Sequence, residues 1–408
     1  MIRKEDLRTI IHQQNESVSI DEKTIPRSFF AKPDLNSKQA VVITGVRRCG
    51  KSTVLKQLMK QADSKYYLSF EDLRLTDFEP QDFLKVEEVF NEDFGKEGGY
   101  FFDEIQNIPG WELYIRQLLD RRRHVVITGS NARLLSKELG THLTGRHSDH
   151  ELFPFSYMEY LNYSASENTL VAFNNYMTQG GFPEYLQNRK TEYLQNLLTD
   201  ILIRDIAVRY GIRNVKVLKE LAVFLLSNLG KEFSYRSLHK SFELGAVSTV
   251  IDYISMYEES YLLFAIPRFD YSLKKQTWHP KKIYAVDNGI AIANSLSFSS
   301  DTGRMLENIV FNTLRREHKE IFYFRDRKEC DFVIREGGRI KSAIQVCSKL
   351  TSDNKSREID GLFEAMEFLN LKEGFLLTLD EEDDLRKAGR TAFLRPVRKW
   401  IETRGGYC

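Results

Sequence analysis

The chain has 408 residues, which at about 150 residues per domain predicts two to three domains. Its 59 Lys and Arg and 58 Asp and Glu residues leave a formal net charge of +1, which excludes the overall basic field of a nucleic-acid coat protein. With 42% hydrophobic and 29% charged residues, the composition is typical of a soluble globular protein. The four scattered cysteines indicate neither a zinc knuckle nor a disulfide framework. Because we find no signal peptide and no apolar stretch of membrane-spanning length, we expect a cytoplasmic protein without a membrane partner.

Strand-like apolar runs alternate with helix-patterned segments in the first part of the chain. The first run, residues 40–45, is followed by a glycine-bounded loop and by helical spacing over residues 53–59. Further runs follow at residues 66–70, 100–102, 124–128 and 151–153. Since strands that alternate with helices usually pair in parallel, this part is predicted to form a parallel α/β sheet.

The rest of the chain changes its pattern twice. Residues 168–282 contain long amphipathic runs, for example 191–208 and 215–229, and are predicted to be mainly helical. From about residue 281 onward, strand-like runs return at residues 321–325, 331–334, 343–346 and 374–379. We therefore expect a second α/β domain at the end of the chain.

A phosphate-binding pattern lies between the first strand and the first helix. The residues Gly45, Val46, Arg47, Arg48, Cys49, Gly50, Lys51 and Ser52 match G-x-x-x-x-G-K-[ST]. In this pattern backbone N–H groups and the helix N-terminus surround the phosphates of ATP, the lysine reaches the β- and γ-phosphates, and the hydroxyl ligates Mg²⁺. Arg47 and Arg48 either face the phosphates or lie in solvent, and we favour solvent. The alternative for the whole pattern is a glycine turn that binds no ligand.

Two carboxylates follow the apolar run at residues 100–102. Asp103 would lie at the carboxyl end of this strand, where a P-loop hydrolase holds Mg²⁺ through a carboxylate. Glu104 beside it would polarise the attacking water as a general base. The spacing between Lys51 and Asp103 leaves room for one further strand. The alternative is a pair of solvated acids after an edge strand.

Three further side chains are candidates for contacts with the γ-phosphate or the attacking water. Ser130 and then Asn131 follow the strand at residues 124–128, where a polar group could sense the γ-phosphate. An ordinary N-cap at a strand-to-helix turn is the alternative for both. Arg146 is a lone arginine after a glycine, and it could stabilise transition-state charge in its own subunit or in a neighbouring one.

At these residues the chain resembles a family of prokaryotic AAA+-type ATP-binding proteins, archaeal-ATPase-like, that carry a C-terminal domain of unknown function. The similar strings are GVRRCGKST, YFFDEIQNIPGWE, ITGSNARLLS and LTGRHSDHELFPFSYMEY, and the resemblance covers nearly the whole chain. It implies Walker A roles for Lys51, Ser52 and Thr53, Walker B roles for Asp103 and Glu104, a sensor role for Ser130, and the family's Gly-Arg pair for Arg146. It also implies a winged helix followed by a restriction-endonuclease-like domain.

The middle of the chain has the element order of a winged helix. An apolar helix over residues 218–229 ends at Gly230, two shorter helical patterns follow, and residues 261–266 read as a wing. Residues 213–282 hold eleven Lys and Arg against seven Asp and Glu, so DNA is one candidate partner. The alternatives are packing as a lid on the ATPase or contact with a partner protein. The Lys274–Lys275 and Lys281–Lys282 pairs could equally be solvated surface.

The last domain has the residue order of restriction-type nucleases with two departures. Glu307 lies on a predicted helix and Asp331 on a strand, but Gln345 and Cys347 occupy the positions expected to be an acid and a lysine. Lys349 could supply the ammonium, because alternate residues of a strand share a face. Since a neutral amide weakens a Mg²⁺ site, we expect a degenerate nuclease site (Glu307, Asp331, Gln345, Lys349) on a scaffold that binds nucleic acid or protein.

The predicted fold is therefore α/β, with a P-loop NTPase sheet of the AAA+ (ASCE) type, a helical lid, a winged helix and a restriction-endonuclease-like domain. The predicted function is hydrolysis of Mg²⁺-ATP coupled to a C-terminal module that binds DNA or protein, and homo-oligomerisation is left open. The alternatives are a nucleotide-gated binding switch with slow turnover and an ATP-gated, metal-dependent DNA nuclease. The predicted bounds are 1–36 for an N-terminal helical segment, 37–160 for the ATPase core, 161–212 for the lid, 213–275 for the winged helix and 276–408 for the last domain.

Overall fold

The computed structural model describes residues 1–18, 24–27, 39–62, 64–131, 143, 145–295 and 301–404. The chain divides into two compact units, the first ending at Leu152 and the second beginning at Phe153. The first unit is built on five strands, β1 (Ala40–Gly45), β2 (Lys65–Ser69), β3 (Gly99–Asp103), β4 (Val125–Gly129) and β5 (His147–Leu152). All neighbouring strands pair in parallel, in the order β2-β3-β4-β1-β5.

Helices cover this sheet and explain why its central strands are apolar throughout. They are α1 (Lys4–Val18), α2 (Lys51–Met59), α3 (Asp82–Asp93) and α4 (Trp111–Asp120). β1 and β4 are buried at every residue, as expected of parallel strands with both faces covered. Leu7, Ile10 and Ile11 of α1 belong to the same core cluster as Phe102 of β3, so the N-terminal helix packs as part of the first unit.

The parallel sheet confirms the predicted fold class of the first part. Each predicted strand is present, and β2 is the further strand expected between Lys51 and Asp103. In space β4 lies between β1 and β3. Since parallel strands end at the same edge, the residues that follow β1, β3 and β4 meet there.

The second unit begins with a mainly helical region, as predicted. Its helices are α5 (Tyr157–Ser164), α6 (Leu170–Gln179), α7 (Pro183–Asn188) and α8 (Thr191–Asp200), and a π-helical stretch, Ile201–Val208, continues α8. The buried Asp287 joins this region to the start of the later helix Asn288–Asn294, because its carboxylate accepts hydrogen bonds from the backbone N–H groups of Gly181 and Ile290 at 2.6 and 3.1 Å.

A small antiparallel sheet and four helices follow. The helices are α9 (Val215–Leu226), α10 (Tyr235–Ser241), α11 (Val247–Glu259) and α12 (Leu273–Trp278), and the strands are β6 (Glu232–Phe233), β7 (Leu263–Pro267) and β8 (Lys281–Ala285), in the order β6-β8-β7. The three helices before β7 have the predicted order. β7 pairs with β8 across a long loop that contains α12, so this strand pair extends beyond residues 261–266, where a wing was predicted. The winged-helix assignment itself stays a prediction.

A six-stranded mixed sheet forms the core of the last part. Two helices, α13 (Asn288–Asn294) and α14 (Thr302–Glu317), precede it. Its strands are β9 (Glu320–Arg325), β10 (Glu329–Glu336), β11 (Arg339–Val346), β12 (Glu373–Thr378), β13 (Asp383–Lys387) and β14 (Arg390–Pro396), in the order β13-β14-β12-β11-β10-β9. The helices α15 (Lys355–Phe368) and α16 (Val397–Arg404) complete this part. The second α/β region is thus confirmed, and β13 and β14 are the strands of this sheet that the sequence did not predict.

A capping box at the start of α5 offers a test of local stability. Ser156 Oγ accepts from the Glu159 N–H at 3.2 Å, and the Glu159 carboxylate accepts from the Ser156 N–H at 2.8 Å. We expect Ser156→Ala to lower the free energy of unfolding by about 1 kcal/mol, because a buried helix start loses its cap. Urea denaturation followed by circular dichroism measures this, with the exposed Ser166→Ala as control. Equal unfolding of the two variants would contradict the prediction.

Candidate functional site

The loop between β1 and α2 has a backbone that only glycine tolerates at two points. Gly45 has φ 151°, and a Cβ there would lie 2.0 Å from the Leu152 carbonyl oxygen. Gly50, at the N-terminus of α2, has φ 101°. Arg48 also adopts a left-handed conformation, with φ 64°. The two glycines therefore fix the shape of the loop, and α2 begins immediately at Lys51.

Lys51 is buried at the centre of this loop. Its Nζ donates to the carbonyl oxygens of Gly45 and Val46 at 3.2 and 3.3 Å and lies 3.3 Å from Glu104 Oε1. The structure thus brings together the predicted Walker A lysine, at the end of β1, and the predicted general base, at the end of β3. Because both groups are buried, the attraction between the ammonium and the carboxylate is stronger than it would be in water.

Asp103 is held by hydroxyl groups. Thr128 Oγ1 donates to Asp103 Oδ1 at 2.6 Å and accepts from the Glu104 N–H at 2.9 Å. Burial and then the neighbouring Glu104 carboxylate raise the pKa of Asp103 to about 6, while hydrogen bonds from Thr128 and Ser52 act in the opposite direction. Ser52 and Asp103, the two predicted Mg²⁺ ligands, are therefore neighbours. A hydroxyl and a carboxylate supply oxygen donors of the kind that Mg²⁺ prefers.

Glu104 has different partners and the opposite pKa shift. Burial by itself would raise the pKa of Glu104, but the charge of Lys51 and the hydrogen bond from Gln106 outweigh burial and hold that pKa below its ordinary value. Gln106 Nε2 donates to the Glu104 carboxylate and also lies 3.5 Å from Ser130 Oγ. The two adjacent acids at the end of β3 are thus separated electrostatically by their surroundings.

The remaining predicted residues of the loop and of the end of β4 differ in how far their side chains are exposed to solvent. Ser130 and Asn131 are buried directly after β4, on the same edge as the carboxylates. Val46 and Cys49 are buried, and Thr53 is half-buried in the first turn of α2. Of the two arginines that we favoured as solvated, only Arg48 is exposed. Arg47 has 17% of its side chain exposed and lies 3.6 Å from Glu71 Oε1.

Three residues of this edge were missed by the sequence analysis. Thr128 lies inside the apolar run of β4, and Gln106 stands two positions after Glu104. Neither residue is part of a sequence motif that predicts a function. Arg27 is buried and donates from Nη1 to the Cys49 carbonyl oxygen at 2.9 Å, so it braces the loop from a distant part of the sequence. Thr128 and Gln106 could have been found from sequence as polar side chains close to the carboxyl ends of predicted strands.

Arg146 is not brought to this edge. Its carbonyl oxygen accepts from Ala40 N–H at the start of β1, and β5 then runs parallel to β1, with Gly45 opposite Leu152. The six residues of β1 span roughly 16 Å at about 3.3 Å per residue. Arg146 therefore lies at the opposite end of the strands from Lys51, with its guanidinium 2.6 Å from Asp120 Oδ1. A role in its own subunit, one of the two alternatives left open by the sequence, does not fit this geometry.

In the second unit, three of the four predicted nuclease-like residues meet around a buried lysine. Lys282 Nζ of β8 lies 2.8 Å from Asp331 Oδ1, 3.2 Å from Glu307 Oε1 and 2.7 Å from Glu329 Oε1. Gln345 joins the cluster by accepting from the Asp331 N–H at 3.2 Å. These side chains line a cavity of about 400 Å³. The Lys282 side chain is only 3% exposed, so the interpretation of the Lys281–Lys282 pair as solvated surface was wrong for Lys282.

Lys349 does not belong to this cluster. β11 ends at Val346, so the alternation of strand faces that was used to place Lys349 stops before it is reached, and its side chain is exposed. The ammonium of the cluster comes instead from β8, whose Lys282 is remote in sequence from β10 and β11. The amide of Gln345 is occupied as well, since its Nε2 donates to Glu358 Oε2 at 2.6 Å.

Electrostatics keep the lysine charged in this cluster. Burial alone would lower the pKa of Lys282, but the carboxylates of Asp331 and Glu307 outweigh burial and raise that pKa above its ordinary value. Burial also holds the pKa of Glu307 above its usual range, against the opposing charge of Lys282. Within the residues that the structure describes, no group of three or more His, Cys, Asp or Glu side chains is arranged to hold a metal ion. The cation that these acids contact in the structure is the Lys282 ammonium.

Replacing this lysine tests its importance for stability. We expect Lys282→Met to lower the free energy of unfolding by about 3–5 kcal/mol, because Glu307 and Asp331 remain buried without their counter-ion. A carboxyl group whose pKa is higher in the folded than in the unfolded state favours folding at low pH, and this contribution is lost as pH rises through the folded pKa. The loss should therefore be larger at about pH 8 than at about pH 5.

Urea denaturation at the two pH values measures this effect. The matched control is Lys349→Met, which removes the exposed lysine that the sequence favoured and should change stability by less than about 0.5 kcal/mol. Equal effects of the two substitutions would contradict the central place of Lys282.

Comparisons with known proteins agree with the geometry of the first unit. Residues 37–161 match the model of an AAA domain, and residues 171–301 and 302–396 match two domains of unknown function, DUF8612 and DUF4143. In the described part of the chain, no helix is long and apolar enough to cross a membrane.

Solved structures similar to this chain include AMPPCP-bound DnaA from Aquifex aeolicus, with 14% identity, a TM-score of 0.27, and coverage of 55% of this chain and 83% of that one. Cdc6p from Pyrobaculum aerophilum has 12% identity and a TM-score of 0.25, with coverage of 76% and 94%. At these TM-scores the two likenesses carry no argument about function.

Two relatives align over most of the chain. An uncharacterized protein of Methanocaldococcus jannaschii is 34% identical over 99% of this chain and 97% of its own length. An uncharacterized protein of Haemophilus influenzae is 30% identical over 73% of this chain and 80% of its own length. The chain therefore belongs to a prokaryotic family of AAA-domain proteins with C-terminal domains of unknown function.

Proposed function

We propose that the first unit binds Mg²⁺-ATP and hydrolyses it. Lys51 contacts the β- and γ-phosphates, Ser52 and Asp103 hold Mg²⁺, and Glu104 orients and deprotonates the attacking water. The backbone N–H groups from Gly45 to Thr53 surround the phosphates at the N-terminus of α2. The AAA domain match over residues 37–161 supports the nucleotide, and the geometry of the strand ends supports the division of roles.

The observation that carries this proposal is the separation of the two acids at the end of β3. Asp103 is hydrogen-bonded by hydroxyl groups, with its pKa raised to about 6 by burial, whereas Glu104 is paired with an ammonium and an amide. Adjacent acids with different partners and opposite pKa shifts suit two different tasks. A carboxyl next to Ser52 suits a metal ion, and a carboxylate next to Lys51 and Gln106 suits an attacking water.

The pairing of Lys51 with Glu104 also links substrate to base. Phosphate oxygens of ATP compete with Glu104 for the Lys51 ammonium, because phosphate carries more negative charge than one carboxylate. When Lys51 turns to the phosphates, Glu104 loses the charge that holds its pKa down and becomes a stronger base. Gln106 keeps Glu104 near Ser130, which we assign, with Asn131, to the γ-phosphate side of the site. The base is thus activated by the nucleotide that it helps to hydrolyse.

Arg146 enters this proposal only through a second copy of the chain. Its position at the far end of β5 leaves a neighbouring subunit's nucleotide as the one it could contact. In that arrangement the phosphates would compete with Asp120 for its guanidinium.

The C-terminal half is proposed to be the output module, binding DNA or protein according to the state of the nucleotide. We retain the lid at 161–212, the winged helix at 213–275 and the last domain at 276–408 as the proposed division. The cluster around Lys282 favours a binding scaffold over a nuclease, because an ammonium already neutralises the acids that would ligate Mg²⁺. A switch with slow turnover is the remaining alternative to a continuously active ATPase.

Two substitutions separate binding from turnover. Glu104→Gln should reduce steady-state phosphate release by at least about a hundredfold, since it removes the general base, while retaining ATP. Lys51→Ala should lose ATP binding itself, because it removes the buried ammonium that is proposed to contact the β- and γ-phosphates. Phosphate release and equilibrium binding of a fluorescent ATP analogue measure the two effects.

The wild-type chain is the reference for this experiment. Tight ATP binding with phosphate release near zero in the wild type would overturn the ATPase proposal in favour of the switch. Wild-type turnover that survives Glu104→Gln would overturn the assignment of the base.

Thr128 offers a finer test of the strand-end geometry. Thr128→Val keeps the side-chain shape but removes the hydroxyl that donates to Asp103 and accepts from the Glu104 N–H. We expect phosphate release to fall about 10–100-fold, as for other groups that orient metal ligands. Thr128→Ser keeps the hydroxyl and is the matched control, which should retain most of the activity. Equal rates for the valine and serine variants would show that the hydroxyl is dispensable.

A further inference from the structure

An exposed tryptophan stands among basic side chains in the second unit. Trp278, the last residue of α12, has 69% of its surface exposed, whereas Trp111 and Trp400 are buried. The guanidinium of Arg236 on α10 lies 5.8 Å from the centre of the Trp278 ring. Beside them, the ammonium of Lys281 lies 5.2 Å from the centre of the Tyr235 ring. The two cation–aromatic pairs connect α10 to the end of the loop between β7 and β8.

The charged residues of these segments are mainly basic. Helix α10 and residues 268–281 together contain six Lys and Arg residues and one acid, Asp270. Asp270 Oδ2 lies 4.0 Å from Lys275 Nζ, so this acid is an ion-pair partner of Lys275. Lys274 is exposed and precedes Trp278 by four residues, hence on the same face of α12. We name the set Tyr235, Arg236, Lys274, Trp278 and Lys281 the aromatic–basic surface.

The helix that a winged helix would place in a duplex groove has the opposite character. α11 (Val247–Glu259) contains no Lys or Arg and carries Asp252, Glu258 and Glu259. Glu258 and Glu259 are half-buried and accept hydrogen bonds from the Ala265 N–H and the Tyr210 hydroxyl, whereas Asp252 is exposed. A recognition helix approaches the phosphates of both strands, and α11 would offer them an exposed acid and no Lys or Arg. The cations of this module are on α10 and the β7–β8 loop instead.

We propose that the aromatic–basic surface binds single-stranded nucleic acid. Bases of a single strand can stack on the exposed Trp278 ring, while Arg236, Lys274 and Lys281 neutralise the phosphates along the strand. A duplex hides the faces of its bases and would use only the cations. A partner protein fits this surface less well. Six cations with one acid favour an anionic chain, and the exposed face of the Trp278 indole can stack on a planar base. The inference deepens the proposed function by naming the partner of the output module, although the binding itself needs no ATP hydrolysis.

Fluorescence gives a direct readout in the full-length chain. Trp278 is the exposed member of the three tryptophans, so stacking of a base on its ring should quench a long-wavelength part of the emission. The probe is a single-stranded oligo-dT of about 20 nucleotides, compared with a duplex of the same length at low salt. We expect quenching and tighter binding with the single strand. Absence of oligo-dT binding at low salt, or tighter binding of the duplex, would overturn the proposal.

Substitutions in the surface identify the contacts. Trp278→Ala should weaken oligo-dT binding about tenfold, whereas Trp278→Phe should retain most of the affinity and lose the fluorescence change. Lys274→Glu and Lys281→Glu should each reduce the dependence of binding on salt, by about 0.7 in the slope of log K against log salt. The controls are Leu73→Ala, an exposed apolar residue of the first unit, and Lys216→Glu, an exposed lysine on α9. Equal affinity of Trp278→Ala and Leu73→Ala would refute stacking on Trp278.

The ATPase proposal and the proposal of a nucleic-acid-binding surface can be overturned independently of each other. Oligo-dT binding that persists in Lys51→Ala, together with absent phosphate release in the wild type, would overturn the proposed ATPase and leave this surface standing. Phosphate release that is intact in a wild-type chain unable to bind oligo-dT would do the reverse.

Discussion

The chemistry of the first unit depends on one buried ammonium. Lys51 has no solvent to stabilise its charge, so the charge is distributed over two carbonyl oxygens of the glycine loop and the carboxylate of Glu104. This arrangement requires the loop to curl back on itself, which the positive φ values of Gly45 and Gly50 permit. It also requires β3 to end at the same edge as β1, which the parallel order of the sheet provides. The glycine loop, the end of β3 and the Glu104 carboxylate thus all contribute to stabilising the charge of Lys51.

A second buried lysine shows how context changes the use of the same group. Lys282 lies on a strand and is paired with three carboxylates, so a strong competing anion has no access to it without breaking several ion pairs. The Lys51 ammonium contacts the Glu104 carboxylate and also the neutral carbonyl groups of Gly45 and Val46, which a phosphate can replace. One lysine is therefore suited to exchange partners with a ligand, and the other is suited to hold β8, α14 and β10 together.

The sequence predicted those features that depend on local pattern, and it failed where contact is made across the fold. The five strands of the first sheet, the glycine loop and the Asp103–Glu104 pair follow from periodicity and short-range spacing. Thr128, Gln106 and Lys282 contribute through partners on other strands, and the chain separation between Lys282 and Asp331 conceals their 2.8 Å contact. Lys349 was misplaced because strand alternation was extended past Val346, where β11 ends. Arg146 could have been placed at the far edge from sequence, since it precedes its strand whereas Lys51 follows one.

Element order alone also says little about what the middle module binds. α9, α10 and α11 followed by the β7–β8 hairpin have the order expected of a winged helix, yet the helix in the recognition position carries three acids and no base. The cations lie on the helix before it and on the loop that contains α12, beside the exposed Trp278 ring and the half-buried Tyr235 ring. Sequence-independent binding needs phosphate neutralisation and an aromatic face, and neither depends on a helix that fits a groove. The distribution of charge over the module, rather than its topology, therefore determines which nucleic-acid geometry it can accept.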